Sequence, residues 1–289
     1  MNDHVYRNYD RNQFEWQYNA RLQVKDNEAI VEDNIRRSEA FRAKAKCVLD
    51  LAYGKSERER LDIFFCEANN APVHLFIHGG YWRSRDKSMF SFLAEPLVDA
   101  GALVVVVEYD LCPRVSMEEI VRQVRAAVSW LYRHATEHGG DPERLHVSGH
   151  SAGGHLAAML GATRWPEIAD GLPPDLLKSV TPISGLFTLE PLIRHSVNDD
   201  LKLDPDAARR TSPALTSPTV TGPVTVCVGG EESDEFRWQS QDFASRWKEH
   251  GADVTYVEVP DKNHFTILRD LGDPDFDLTR RLLRRMGLG

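Results

Sequence analysis

The chain has 289 residues, 42% of them apolar and 27% charged, which suits one large α/β domain or two small ones. A net charge of −9 argues against a nucleic-acid partner, and no apolar run reaches membrane-spanning length. Cys47, Cys66, Cys112 and Cys227 are widely spaced with no CxxC pair, and the polar amino terminus lacks an apolar signal segment, so a cytoplasmic protein with reduced thiols is expected.

Residues 1–46 read as a helical extension of one or two helices packed outside the core, because residues 12–46 are polar and aromatic without a strand pattern. "RLDIFF" alternates, with Leu61, Ile63 and Phe65 on one face, and predicts a strand. Val73–Ile77 and Leu103–Val107 are continuous apolar runs, as expected of strands buried on both faces. Met117, Ile120, Val121, Val124, Val128 and Leu131 recur at helical spacing behind Ser116 and Glu119, a capping-box pair, and Gly139-Gly140 ends the pattern. Then come a strand in "RLHVSGH", a helix in "AGGHLAAMLGA" and strands in "LKSVTPISG", "VTVCVG" and "DVTYVEV". Phe236, Gln239, Phe243 and Trp247 mark one helix face, and Asp273 with Pro274 reads as the start of a last helix. Alternating strands and helices predict a mostly parallel sheet with helices on both faces, in a single domain spanning 1–289. Residues 187–222, rich in proline, read as a cap-like insertion near the site.

Gly149-His150-Ser151-Ala152-Gly153 is a G-x-S-x-G pattern between a predicted strand and a predicted helix. A serine hydroxyl is a weak nucleophile until a neighbouring base takes its proton. A sharp strand-to-helix turn lifts that hydroxyl clear and sets it at a helix amino terminus, where negative charge is favoured. Ser151 is therefore the candidate nucleophile. Of the histidines that follow it, His155 lies one helical turn on and suits packing, His195 falls in the insertion and His250 closes a helix. His264, on a short loop after the last predicted strand, is the candidate general base. The acid is expected after Val224–Val228, within "GGEESDEF", where Glu232 and Asp234 are the two contenders.

"HGGYW", at the end of the Val73–Ile77 strand, supplies a permissive turn whose N–H groups can face a developing oxyanion. Gly80 and Tyr81, with Ala152, are the candidate oxyanion hole. Tyr81, Trp82 and Phe187, each just past a predicted strand, are candidate walls of an aromatic-accepting pocket. His134 to His138 matches an H-x-x-E-H zinc pattern, but its place at a helix end favours ordinary polar ending over a metal site. Arg280, Arg281, Arg284 and Arg285 read as a solvated helix face.

"HGGYW", "EYDLCP", "GHSAGGHLAAM", "SGLFTLEPL", "ESDEF" and "NHF", in that order, resemble the kynurenine formamidase (arylformamidase) group of the α/β-hydrolases, from about Trp16 to the last helix. The resemblance implies an α/β-hydrolase fold and hydrolysis of an N-formyl amide on an aromatic amine, with no metal or organic cofactor. It leaves a carboxylesterase for small aryl or alkyl esters as the second reading. The group's acid precedes a Ser-x-Glu-Phe stretch, here Ser233 to Phe236. Its place thus falls on Glu232, although the group carries aspartate there. The expected partner is a small-molecule substrate, with a homo-oligomer open.

Overall fold

In a computed structural model, residues 4–289 are described. Eight strands form one sheet: β1 (Cys47–Ala52), β2 (Arg60–Phe64), β3 (Ala71–Ile77), β4 (Leu103–Val107), β5 (Gly140–His150), β6 (Leu177–Ile183), β7 (Val224–Gly229) and β8 (Val254–Val259). Their spatial order is β1-β2-β4-β3-β5-β6-β7-β8. β2 runs antiparallel to β1 and β4, and every pairing from β4 across to β8 is parallel. This is the α/β-hydrolase architecture expected from the alternation of strands and helices.

Alternate residues of β4 explain the two-sided core. Leu103, Val105 and Val107 pack with Val73, Leu75 and the Met117–His134 helix, while Val104 and Val106 pack with Phe76, Phe92 and the Asp277–Met286 helix. All five β4 side chains are at most 1% exposed. Burying a valine or leucine side chain is worth about 1.5–3 kcal/mol, so this short strand is anchored far beyond its own hydrogen bonds.

Four local features depart from expectation. β1 carries no usable alternation because it is an edge strand, with Val48 and Leu49 exposed, and its pairing to β2 is interrupted between Val48 and Leu51. The last helix begins at Asp277 behind Phe276, since Asp273 instead closes a turn that accepts the Asp275 N–H at 2.9 Å. The amino-terminal extension holds three helices, Arg11–Tyr18, Ala20–Gln23 and Asn27–Lys44, and it is not simply external: Phe14 and Tyr18 are fully buried in the main core. Ser116 does cap its helix, accepting from the Glu119 N–H at 3.3 Å, but the Glu119 carboxylate turns to Arg122 rather than back to the cap.

Parallel pairing sets Ile77 of β3 beside Gly149 of β5, His150 beside Ile183 of β6, Ile183 beside Cys227 of β7, and Gly229 beside Val259 of β8. The loops leaving β3, β5, β7 and β8 therefore emerge along one edge. Between β3 and β5 the connections diverge to opposite sides, which opens the crevice where such sheets bind ligands.

Candidate active site

Ser151 sits at the tip of the turn after β5, with φ 58° and ψ −120°, a conformation that L-residues avoid. Its N–H donates to the Ile183 carbonyl at 2.9 Å, and the Ala152–Gly161 helix starts at the next residue. The flanking glycines are a spatial requirement. A Cβ on Gly149 would fall 2.1 Å from the Gly153 carbonyl oxygen, and one on Gly153 would fall 2.0 Å from that of Ile77. Backbone packs on backbone here, and that contact holds the serine's strained conformation.

His264 is held by its neighbour. The Asn263 side chain accepts from the Phe265 and Thr266 N–H groups, each at 3.0 Å. His264 Nδ1 lies 2.6 Å from Glu232 Oε2, and the other Glu232 oxygen accepts from the Gly229 N–H at 2.8 Å and from the Ser184 hydroxyl. Both Glu232 oxygens are thus engaged, and the Nδ1–H donation leaves Nε2 as the acceptor of the neutral ring. Asp234 has its side chain 67% exposed and pairs with Arg237 at 2.6 Å, in the first turn of a helix capped by Ser233. The His264 ring packs between His150 and Phe236, with centroids 4.5 and 4.8 Å away. Desolvation, then the adjacent His264, hold the buried His150 well below the usual histidine range.

After β3 the chain turns through Gly80 (φ 127°), Tyr81 (φ 52°) and Trp82 (φ 53°). A Cβ on Gly80 would meet the Ser84 carbonyl oxygen at 2.1 Å, and one on Gly79 would lie 2.9 Å from Ser151 Cβ. The turn thus abuts Ser151. It is pinned by His78, stacked on Tyr109 at 4.5 Å and bonded through Nε2 to Glu108 at 2.8 Å. Glu108 also accepts from Arg58 at 2.6 Å and from the Lys87 N–H at 2.9 Å, and the Tyr109 hydroxyl donates to the His78 carbonyl at 2.7 Å.

Gly79, Gly80, Tyr81, Ser151 and His264 form the floor of a cleft of about 440 Å³. Its other walls come from the amino-terminal helices, through Asn19, Arg21 and Asn34, and from the 187–222 segment, through His195, Val197 and Asp200. The two walls are joined where Glu15 accepts from the Ser196 hydroxyl at 2.6 Å and faces His195 Nε2 at 3.1 Å. Trp82 and Phe187 do not line the cleft. Trp82 is fully buried and donates its indole N–H to His155 Nδ1 at 3.2 Å, while Phe187 is fully buried and stacks on Phe243 at 4.2 Å. The reversed chain direction at positive φ turns Trp82 inward, so position after a strand did not predict orientation. Tyr81 reaches the cleft, but its hydroxyl donates to the Tyr18 carbonyl.

The BD-FAE family matches residues 61–177. A kynurenine formamidase of Salmo salar is 32% identical over 293 residues, covering 99% of this chain and 96% of that protein. One of Danio rerio is 34% identical, covering 86% of this chain and 85% of its own length. The chain belongs to the kynurenine formamidase family of α/β-hydrolases. A solved structure from Silicibacter sp. TM1040 is 34% identical with a TM-score of 0.78, covering 88% of this chain and 92% of its own. The metagenomic carboxylesterase EstE1, 22% identical with a TM-score of 0.71 over 92% of this chain and 97% of its own, shares the fold. As a member of this family the chain is a hydrolase acting on a small molecule.

Among the described residues, no cluster of three or more His, Cys, Asp or Glu side chains could hold a metal ion. His134 instead contacts Glu137 at 3.1 Å and stacks on Trp130 at 4.5 Å. His155 donates from Nε2 to the Thr211 carbonyl at 2.6 Å while Nδ1 accepts from Trp82, and burial lowers its pKa to about 4. Arg280 and Arg281 pair with Asp275 and Asp277. Among the described residues no helix is long and apolar enough to cross a membrane. The cleft residues that sequence reasoning missed are Arg21, Asn34 and Arg85. Arg85 lies four residues past the "HGGYW" tyrosine, a signal of position, but nothing in the sequence says that its charge faces the cleft.

Proposed function

We propose that this hydrolase cleaves the N-formyl amide of an aromatic amine, of the N-formylkynurenine type, through a formyl-enzyme on Ser151. The observation that carries the reading is the Glu232–His264 pair, 2.6 Å between Oε2 and Nδ1, beside a strained serine on the floor of one cleft. Its support from relatives is that the Salmo salar and Danio rerio proteins are kynurenine formamidases.

In this mechanism the Ser151 oxygen attacks the formyl carbon as His264 Nε2 takes the hydroxyl proton. The carbonyl oxygen becomes an oxyanion, met by the N–H groups of Gly80, Tyr81 and Ala152. The C–N bond then breaks, and His264 returns its proton to the departing aryl amine. Water attacks the formyl ester, with His264 again the base, and formate leaves. Glu232 orients the ring and stabilises its charged form. The amino-terminal helices and residues 187–222 together act as the cap within this single domain. The reading extends to a cytoplasmic enzyme, supported by four free cysteines.

A carboxylesterase acting on small aryl or alkyl esters is the second reading, favoured by the shared fold with EstE1. Side-by-side kcat/KM for N-formylkynurenine and a p-nitrophenyl ester series separates the two. A clear preference for the formamide is expected, and a preference for the esters would replace the first reading with the second.

A further inference from the structure

Three parts of the site meet on one side chain outside the Ser151, Glu232 and His264 set. His150 is the last residue of β5 and the peptide neighbour of Ser151. Its ring centroid lies 4.5 Å from that of His264, with the two planes tilted by 50°. The turn after β3 is equally close: a Cβ on Gly79 would fall 2.8 Å from the His150 carbonyl oxygen and 3.6 Å from its Nδ1. Nucleophile, base and oxyanion turn are thus all in reach of His150, which is only 4% exposed.

The His264 ring needs such a neighbour. Its bond to Glu232 fixes Nδ1, but a single hydrogen bond leaves a ring free to tip about that point. Tipping displaces Nε2 on the far edge, the atom that must meet the Ser151 hydroxyl. Packing on both flanks opposes it. Phe236 stands on one side, at 4.8 Å and 55°, carried by the helix that Ser233 caps. His150 stands on the other and ties the base to the nucleophile's own strand.

The bracing ring must also not compete for charge. His150 Nε2 is buried and has no hydrogen-bond partner among the described residues, so nothing there stabilises a second proton. Two titratable groups act on the ring, His264 from the loop after β8 and Arg85 from the turn after β3. Both oppose its protonation, and the His264 backbone offsets them only in part.

We propose that His150 is a positioning residue for the reaction: its ring braces the flank of His264 and so holds Nε2 on the Ser151 hydroxyl. The inference rests on the reading of Ser151 as nucleophile and His264 as base, and it adds a role for the residue between Gly149 and Ser151.

The test reads serine activation, which does not depend on the bond cleaved in the natural substrate. The Ser151 oxygen attacks the phosphorus of an alkyl fluorophosphonate, His264 takes the proton and fluoride leaves. His150→Ala is expected to lower kinact by about 10–100-fold, as misplacing a reacting group by about an ångström does, with KI within about threefold of the wild type. His150→Phe, which restores a flat ring, is expected to recover most of that loss. A side chain that only filled the core would instead lower the melting temperature and the fraction of protein that reacts, with kinact of the reacting fraction kept. That result overturns the proposal, and so does a His150→Phe protein as slow as His150→Ala. Should His150→Ala not fold, His150→Gln, polar but ringless, is the second arm: a similar fall is expected, and wild-type kinact there overturns the role. Nitrogen-15 NMR of the histidine-labelled wild type is expected to show His150 neutral down to about pH 5, and titration near 6.5 would overturn it. The Ser151 reading fails separately, if the wild type resists the fluorophosphonate or Ser151→Ala is labelled equally, and the role of His150 falls with it. A reactive wild type without dependence on His150 sinks that role alone.

Discussion

The floor and the roof of the cleft are built by different means. The floor is largely backbone: strained turns after β3 and β5, glycines that let carbonyls approach, and a histidine–carboxylate pair whose Glu232 accepts from the Gly229 N–H and the Ser184 hydroxyl. The roof is held by side chains: the Glu15 carboxylate on Ser196, the Tyr81 hydroxyl on the Tyr18 carbonyl, and Arg83 on Asp200 tie the amino-terminal helices and the 187–222 segment over the cleft. Backbone contacts tolerate no change of residue, whereas side-chain contacts can be exchanged singly. The contrast teaches where to look for each property: the proposed reaction chemistry on the rigid floor, and the proposed substrate choice on the exchangeable roof.

The contrast is broken most directly at Ser151. Ser151→Ala is expected to keep the fold by circular dichroism and lose about 10⁴-fold or more in kcat. Near-normal turnover would remove the floor's role in chemistry. Next, Glu232→Gln is expected to cost about 10³–10⁴-fold in kcat, as loss of the orienting carboxylate does in other serine hydrolases. Equal activity of Glu232→Gln and wild type would shift the role elsewhere, Asp234 first.

Trp82→Ala sharpens the comparison because Trp82 belongs beneath the floor. A cavity in the core is expected to lower stability by about 3–5 kcal/mol in denaturant titration. A selective rise in KM for aryl substrates without loss of stability would return Trp82 to the cleft wall.

A smaller effect follows from the buried histidines under the floor. His74, His146 and His155 have pKa values lowered to about 3, 4 and 4, by desolvation first in each case. Unfolded, they titrate near 6.5, so the unfolded state binds more protons between about 6.5 and 4. The contribution of these three groups is therefore flat above about pH 6.5, falls as pH drops through that window and, through His74, continues to fall to about pH 3. Melting temperatures taken from pH 7.5 to 4 are expected to decline in that window, and a flat profile would show that the three rings are solvated. The smallest effect is at Asp234→Asn: a loss of about 0.3–1 kcal/mol from the helix end with kcat kept near wild type. A large fall in kcat there would make Asp234, not Glu232, the partner of His264.

What the sequence by itself determined was whatever depends on local pattern. Period-2 and apolar runs gave seven of the strands, and G-x-S-x-G between a strand and a helix marked Ser151 because that turn needs small residues at both ends. His264 was the candidate base from chain order and Glu232 the candidate acid from its place on the turn before the Ser233 cap, and the two side chains lie 2.6 Å apart. Tertiary structure alone decided the rest. β1 was hidden because an edge strand exposes residues on both faces and so shows no alternation. The burial of Trp82 depended on the sign of φ in the turn, and that of Phe187 on the partner Phe243, 56 residues on. The cleft's charge depended on which arginine finds a carboxylate: Arg83 reaches Asp200 across 117 positions, and Arg85, two residues later, does not. Pairing at such range is set by packing of whole elements, and no local pattern encodes it.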